Sequence, residues 1–212
     1  MCGRFSQIKA QKDLEYYYQR HFDGELKPNY NVAPTQNVPV VTKDAIVEMK
    51  WGLVPIWARD SKVAYTMINA RSETIYEKTT YKKPFLEGQR VLVPSTGFYE
   101  WRKPERTPFF IHLLDRELFS MAGLYIKGKD DIYYFTIITT QPNHLMESIH
   151  DRMPVILTKE EEKDWLDDHD PTELIPMMNA YPDQNMEAYE ISKDVGNVRN
   201  NFPELLTPIK NS

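Results

Sequence analysis

The sequence predicts an α+β domain built on a large, mostly antiparallel, barrel-like sheet with flanking helices. Its 212 residues include 41% hydrophobic and 27% charged side chains, a composition typical of a globular domain and unlike that of disordered or coiled-coil chains. Apolar segments of strand length follow one another closely between residues 90 and 140, separated by turn residues rather than by helical crossovers. We therefore expect a single domain over residues 2–212 that buries a sizeable core.

The first half of the chain is predicted to combine helices and strands. Ser6 is a candidate helix N-cap, and apolar residues at helical spacing predict a helix up to about Phe22. Residues 29–39, rich in Asn and Pro, are predicted to form an ordered loop. The remaining elements expected here are strands over 38–41 and 46–54, joined by a turn at 43–44, and a short helix over 70–77.

The second half of the chain is predicted to be rich in strands. Asn143 and Thr158 are candidate caps of helices that end near Ile149 and Leu166, and Pro171 suits the first position of a further helix. Strands are predicted over residues 90–93, 98–103, 109–114, 119–126, 133–140, 155–157 and 186–192, with turns at 115–116 and 128–130.

The cysteine content and the hydropathy restrict the classes of function. A single cysteine excludes an intramolecular disulfide and a zinc site made of cysteines alone, and it favours the cytoplasm. The first residues lack a signal-peptide core, and no apolar segment approaches the roughly 20 residues needed to cross a bilayer. We expect no membrane association, no metal and no nucleotide cofactor, because the chain lacks a His-rich cluster and a glycine-rich phosphate loop. A monomer is the expected state.

The charge is distributed unevenly along the chain. The net charge is -5, yet residues 1–106 carry 17 Lys and Arg against 12 Asp and Glu, whereas residues 107–212 carry 9 against 19. The overall acidity argues weakly against a nucleic-acid partner, but the first half can supply a basic groove. On charge alone, a solvated acidic helix without any groove is the favoured interpretation.

Cys2 is the most informative residue because of its position. Initiator methionine is normally removed before a small second residue, so we expect Cys2 to become the first residue, with no leader peptide before it. A free amine and a thiol then lie on adjacent carbons and can condense with an aldehyde, first to a Schiff base and then to a thiazolidine ring. An α-amino pKa of about 7.8 leaves roughly 15% of this amine unprotonated at pH 7, against about 0.04% for a lysine.

Seven short segments place polar residues in predicted strands and turns. They are residues 1–5 (MCGRF), 31–34 (NVAP), 50–55 (KWGLVP), 68–74 (INARSET), 94–101 (PSTGFYEW), 149–154 (IHDRMP) and 195–200 (VGNVRN). Each segment is weak alone, but together and in this order they resemble the SRAP family (SOS response-associated peptidase). The resemblance covers essentially the whole chain.

The resemblance implies a protein that senses abasic sites in single-stranded DNA and shields them through a covalent crosslink. Cys2 is then expected to form a thiazolidine with the C1′ aldehyde of the ring-opened deoxyribose. Asn69 is expected to orient Cys2, and Glu100 to transfer protons during ring opening and Schiff-base formation. His150 is expected near the sugar oxygen, where it would assist proton transfer. These four residues form the expected catalytic set.

The resemblance also implies a DNA path on the protein and nucleoid association of the DNA-bound form. Modest, salt-sensitive affinity is expected, because an acidic protein neutralises few phosphates. Val91 stands where the family commonly has a second cysteine, which leaves Cys2 the only thiol. Phosphate contacts are expected from Arg4, Arg71 and Arg152, and the path is expected to be lined by Asn31, Pro34, Trp57 and Thr139.

Alternatives remain open for the function and for the single residues. A Schiff base also activates β-elimination, so abasic-site lyase activity is a side prediction. Cys2 with His150 and Asn69 or Glu100 could instead form a thiol peptidase or hydrolase, including self-cleavage. A single-strand binding module with an incidental Cys2 is a third hypothesis. Asn69 could simply cap a helix at Ala70, and Glu100 could be a solvated strand residue.

Overall fold

The chain folds into strands joined by short helices. The computed structural model describes residues 2–58, 60–167 and 169–209. Its strands are β1 (Phe5–Gln7), β2 (Asn29–Val32), β3 (Asn37–Val41), β4 (Ile46–Trp51), β5 (Asn69–Arg71), β6 (Arg90–Ser95), β7 (Gly97–Arg102), β8 (Thr107–Leu113), β9 (Phe119–Lys127), β10 (Tyr133–Thr140), β11 (Met153–Pro154), β12 (Ile156–Leu157) and β13 (Met186–Glu190). Its α-helices are α1 (Gln11–Tyr18), α2 (Thr79–Leu86), α3 (His144–Glu147) and α4 (Lys159–Leu166).

Five strands close into a barrel in the order β10, β4, β3, β6 and β9, with β9 pairing back onto β10. The pairings in this ring are antiparallel except for β4 with β10. Strand β5 adds to β10 in parallel, while β11 and β12 pair with β10 and β9. The predicted α+β fold with a mostly antiparallel, barrel-like sheet is confirmed.

A second sheet holds five antiparallel strands in the order β13, β8, β7, β1 and β2. The sequence suggested one large sheet, whereas the structure divides the strands between this sheet and the barrel. The sheet brings the beginning of the chain, through β1, beside β7 from its middle. This pairing determines the position of Cys2.

One hydrophobic core is shared by the barrel interior and one face of the five-stranded sheet. Phe5 and Phe98 from the sheet belong to the same buried cluster as Val91 and Phe135 from the barrel. The ring of Phe5 meets that of Trp51 edge-on, with centroids 5.2 Å apart. The sheet therefore packs directly against the barrel, and residues on this face of β1 and β7 point into the shared core.

Two further cores cover the outer surfaces. Leu14 of α1, Phe85 of α2 and Trp165 of α4 pack with outward-facing barrel residues, which identifies this cluster as the outside of the barrel. On the other face of the five-stranded sheet, Tyr99 and Phe110 pack against a C-terminal group formed by Ile191, Val195 and Leu205. The C-terminal segment thus covers the sheet face that is turned away from the barrel.

The first predicted helix is wrong at its beginning, and two other segments differ from the prediction. Ser6 lies in β1, where its hydroxyl is 2.9 Å from that of Thr96, and α1 begins at Gln11. Asn29–Val32 is a strand rather than a loop because it pairs with β1. The region 70–77 contributes β5 and the 3₁₀ segment Ser72–Thr74 instead of one helix. Long-range pairing overrides local propensity in each case.

The predicted caps in the second half of the chain are confirmed. The Asn143 side chain accepts a hydrogen bond from the Met146 amide, and Thr158 forms a reciprocal capping box with Glu161. Pro171 opens a 3₁₀ segment, Pro171–Met178, rather than an α-helix. In the described part of the chain, no helix is both long enough and apolar enough to cross a membrane.

Candidate active site

Cys2 lies at the end of the five-stranded sheet, in the core shared with the barrel. β1 places it there, because Phe5 pairs with Phe98 and the Tyr99 amide donates to the Arg4 carbonyl at 2.9 Å. The Cys2 side chain is fully buried, and its sulfur accepts a hydrogen bond from the Arg4 amide. Burial raises the pKa of the Cys2 thiol, and the negative charge of Glu100 raises it further. The sulfur is therefore held as a neutral thiol at neutral pH.

Glu100 points into the same shared core. Side chains alternate along β7, so Phe98 and Glu100 face the barrel while Tyr99 faces the C-terminal segment. The Glu100 side chain is nearly inaccessible to solvent. Burial raises the pKa of this carboxyl to about 7, and the charge of Asp151 adds to the effect. Near neutral pH the group can both give and take a proton, as a general acid–base residue requires.

His150 lies opposite Glu100, with Nε2 4.0 Å from Glu100 Oε2. The turn after α3 holds the ring, since Nδ1 lies 3.1 Å from the Arg152 amide and 2.9 Å from Asp151 Oδ1. A neutral Nδ1 accepts from the amide, whereas a protonated Nδ1 donates to the carboxylate. Burial lowers the pKa of His150, and the positive charge of Lys103 contributes. At neutral pH the imidazole is therefore the uncharged form, which can accept a proton.

Asn69 begins β5 and faces the same core. It pairs with Ile137 of β10, whose side chain lies in the shared cluster, and neighbouring residues of paired strands face the same side. Both polar atoms of the Asn69 amide are buried, and neither has a hydrogen-bond partner in the described part of the chain. Asn69 starts a strand, so the alternative role as a helix cap at Ala70 is wrong. Its amide is free to bind a polar group inside the site.

The three arginines expected to contact phosphate lie in different settings. Arg4 is buried, and its Nη1 donates to Asn31 Oδ1 at 2.7 Å and to the Val195 carbonyl at 2.8 Å. Arg152 is also buried and makes a two-pronged ion pair with Glu73, at 2.5 and 2.9 Å. Arg71 alone among them is solvent-exposed. Phosphate contact remains a prediction for all three.

The residues expected along the DNA path are also dispersed. Asn31 and Thr139 are buried, and the Thr139 carbonyl accepts from Arg152 Nη2 at 2.6 Å. Pro34 is half-buried, just beyond β2. Trp57 is 68% exposed and borders a separate cavity of about 460 Å³ between α2 and the end of β9, with none of the catalytic candidates in its lining. Their roles toward DNA stay predictions.

Two features of the site were missed by the sequence analysis. A cavity of about 470 Å³ opens beside His150, with Arg102 and Lys103 in one wall. The sequence feature that could have indicated this cavity is the pair of basic residues, Arg102 and Lys103, directly after the segment that contains Glu100. Glu73, the partner of Arg152, lies two residues after Arg71 in a quoted segment, but only the fold shows the pair. Among the described residues, no group of His, Cys, Asp and Glu is arranged to hold a metal ion.

Fold and site together define a β-barrel protein with a buried thiol, a carboxyl of raised pKa and an imidazole at one sheet end. The chain matches the family model of the SOS response associated peptidase (SRAP) over residues 1–198, and it belongs to the SRAP family. It is 44% identical to the abasic site processing protein YoqW of Bacillus subtilis, over 97% of this chain and 99% of that protein. It is 34% identical to the abasic site processing protein HMCES of Gallus gallus, over 89% of this chain and 68% of that protein.

The fold is shared with a solved structure. A crystal structure of a protein from Bacteroides thetaiotaomicron superposes with a TM-score of 0.88 at 30% sequence identity. The match covers 98% of this chain and 100% of that one. The barrel and the five-stranded sheet are therefore an arrangement that this chain shares with that protein along nearly its full length.

Proposed function

We propose that this protein captures abasic sites in single-stranded DNA as a covalent thiazolidine on Cys2, after removal of Met1. Two kinds of support converge on this function. The relatives YoqW and HMCES are abasic site processing proteins by name. The site provides a buried thiol facing a carboxyl that exchanges its proton near neutral pH. The position of Cys2 beside Glu100 is the observation that carries the proposal.

The proposed reaction is a condensation that releases one water. The Cys2 amine adds to the C1′ aldehyde of the ring-opened sugar and gives a carbinolamine. Glu100, in its protonated form, gives a proton to the departing hydroxyl, and water leaves as the C=N bond forms. The sulfur then adds to the carbon of the resulting iminium, and the thiol proton passes to the Glu100 carboxylate, which restores its protonated form. The ring closes with no oxidant and no other co-reactant.

The neighbouring side chains take the remaining roles in this proposal. His150, uncharged and 4.0 Å from Glu100, takes up and returns protons while the carboxyl cycles between its two forms. The Asn69 amide, whose buried polar atoms lack partners among the described residues, holds the Cys2 amine or the sugar oxygen. The Schiff-base stage also activates β-elimination, so a slow lyase reaction accompanies capture at the same residue.

The thiol argues for condensation over peptide hydrolysis. A cysteine hydrolase needs a thiolate, and its cysteine has a lowered pKa beside a positively charged histidine or a helix N-terminus. Here burial and Glu100 raise the pKa of the Cys2 thiol. An iminium carbon is electrophilic enough for a neutral thiol that loses its proton as it adds. The same side chain therefore suits ring closure better than acyl transfer.

Intact-mass spectrometry before and after incubation with abasic single-stranded DNA tests the proposal. We expect a protein without Met1 and an adduct whose mass is that of protein plus DNA minus one water. The Cys2→Ala variant keeps the amine, so it should form only an imine, which is detectable after borohydride reduction and is lost without it. The same oligonucleotide without the abasic site is the control. Absence of the wild-type adduct, with Met1 confirmed removed, would contradict the proposal.

A further inference from the structure

The proposed reaction gives no role to residues 195–200, one of the seven short segments on which the family resemblance rests. In the structure this segment forms a turn against the end of β2, and the Asn31 side chain holds it. Asn31 Nδ2 lies within hydrogen-bonding distance of the carbonyls of Val195, Asn197 and Asn200, at 3.3, 3.0 and 2.9 Å. The Asn31 side chain is 1% exposed. One amide thus satisfies several carbonyls of a turn that is more than 160 residues away in sequence.

The other end of the Asn31 amide is linked to the reactive cysteine. Asn31 Oδ1 accepts from Arg4 Nη1 at 2.7 Å, and the same nitrogen donates to the Val195 carbonyl at 2.8 Å. The Arg4 amide in turn donates to the Cys2 sulfur. The turn and Asn31 are thus hydrogen-bonded to the Arg4 guanidinium, and the backbone amide of the same Arg4 is hydrogen-bonded to Cys2.

We propose that Asn31 is a positioning residue for the Cys2 chemistry rather than a DNA contact. It fixes Arg4 and the 195–200 turn, and it thereby keeps the amine and thiol of Cys2 aligned with Glu100. This inference rests on the proposed function. A direct DNA contact would require the buried Asn31 amide to break bonds to Arg4 and to the turn, and each buried polar group left unpaired costs about 1–3 kcal/mol. The geometry therefore assigns Asn31 to the support of the site.

The first test measures how firmly Cys2 is held and involves no DNA. Cys2 is the only cysteine, so alkylation by iodoacetamide reports on this residue alone. A buried thiol reacts only when the structure opens locally. Asn31→Ala should react faster than wild type, by on the order of tenfold, because the Arg4 side chain has lost its support. Alkylation of Asn31→Ala at the wild-type rate would overturn the inference.

The second test separates positioning from DNA binding. Adduct formation is followed by intact mass with two aldehydes, abasic single-stranded DNA and free 2-deoxyribose, which carries no phosphate. A misplaced nucleophile should lower the maximal rate of Asn31→Ala with both aldehydes by a similar factor, on the order of tenfold. The DNA concentration at half-maximal rate should change by less than about twofold. If Asn31→Ala instead needs a higher DNA concentration to reach its half-maximal rate, while its rate with 2-deoxyribose is unchanged, then Asn31 is a DNA contact.

A second variant and a matched control keep the test independent of folding defects. Asn201 is exposed and directly follows the 195–200 turn, and its Oδ1 accepts from the Tyr30 amide at 2.7 Å, so Asn201→Ala should loosen the end of this turn without removing a bond to Arg4. We expect a smaller acceleration of Cys2 alkylation in Asn201→Ala. Asn179, also exposed, donates to the Pro176 carbonyl at 2.7 Å on the outer side of the barrel, and Asn179→Ala should behave like wild type. If the wild-type protein forms no adduct with abasic DNA, only the proposed function is contradicted. The alkylation test of Asn31 involves no DNA and stands independently.

Discussion

Burial of Glu100 raises the pKa of its carboxyl to about 7, from an ordinary value of 4.5. Between these two values the folded protein binds a proton that the unfolded chain has lost. Stability that is fully present below pH 4.5 is therefore lost as the pH rises through about 7. A shift of this size corresponds to about 3 kcal/mol at most, because each pKa unit is worth about 1.4 kcal/mol. The protein thus keeps a carboxyl that is costly to bury once it is ionised.

Replacing Glu100 by glutamine should make the protein more stable and less active. A glutamine side chain cannot ionise, so Glu100→Gln should gain stability over wild type at about pH 8, by up to about 3 kcal/mol, and lose this advantage near pH 4.5. The crosslinking rate should fall by about 100-fold or more, because the amide cannot supply a proton to the departing hydroxyl. Urea denaturation at both pH values and single-turnover crosslinking measure the two effects.

Glu105→Gln is the matched control for this experiment, since Glu105 is an exposed carboxyl on the same hairpin. It should change neither the pH dependence of stability nor the crosslinking rate. A Glu100→Gln protein that crosslinks abasic DNA at the wild-type rate would exclude Glu100 as the proton donor. A stability difference that does not vary with pH would contradict the raised pKa.

At the scale of elements, one ion pair joins the two segments that carry Asn69 and His150. Glu73 follows β5, which begins at Asn69, and Arg152 follows the His150 turn. Arg152 makes its two-pronged contact with Glu73 and also donates to the Thr139 carbonyl of β10. The Arg152 side chain is 6% exposed and that of Glu73 is 39% exposed. The pair therefore fastens the His150 turn to the barrel strand beside Asn69.

Loss of this ion pair should weaken both the fold and the reaction. Glu73→Gln leaves the buried Arg152 cation without its carboxylate, and we expect a loss of about 1–2 kcal/mol, less than for a fully buried pair because Glu73 is partly solvated. The maximal crosslinking rate should fall as the His150 turn loosens. Gln141→Ala removes only the 3.0 Å bond from Gln141 to Glu73 and serves as control. Equal denaturation midpoints for Glu73→Gln and wild type would contradict this role.

The elements also show which parts of the fold can be predicted from sequence. Caps at Asn143 and Thr158 act over three residues, so the sequence predicts them correctly. Strands β1 and β2 have three and four residues, too few for a clear alternation; β1 is held by pairing with β2 and β7, and β2 by pairing with β1. Ser6 was misassigned for this reason.

The same distinction applies to the candidate site. The resemblance suggested Cys2, Asn69, Glu100 and His150, whose roles remain predictions, but sequence could not show which face of β7 carries Glu100 or where its partners lie. Asn31 belongs to one of the short segments that carry the family resemblance, yet its hydrogen-bond partners lie in the 195–200 turn near the other end of the chain. Partners that are distant in sequence are set by topology, which local patterns do not contain.

At the scale of the whole molecule, an acidic protein must bind an acidic polymer. The net charge is -5, so binding has to rely on a local concentration of cations. The cavity of about 470 Å³ beside His150 is a candidate, since Arg102 and Lys103 form part of its wall, together with the carboxylates of Glu147 and Asp151. Glu147 lies 3.5 Å from His144, and Asp151 lies 2.9 Å from His150. We predict that Arg102 and Lys103 meet a phosphate next to the sugar in the proposed complex.

Salt dependence measures this contribution directly. Each phosphate neutralised on a single strand adds about 0.7 to the slope of log affinity against log salt, so Arg102→Gln with Lys103→Gln should lower the slope by about 1.4. The maximal crosslinking rate at low salt should change far less than the slope, because neither cation exchanges a proton in the proposed condensation and Lys103 only contributes to the lowered pKa of His150. The control pair Lys12→Gln with Lys163→Gln removes the same charge from exposed positions on α1 and α4. If both double variants lower the slope equally, the overall charge of the protein, rather than the cations of this cavity, determines the salt dependence of DNA binding.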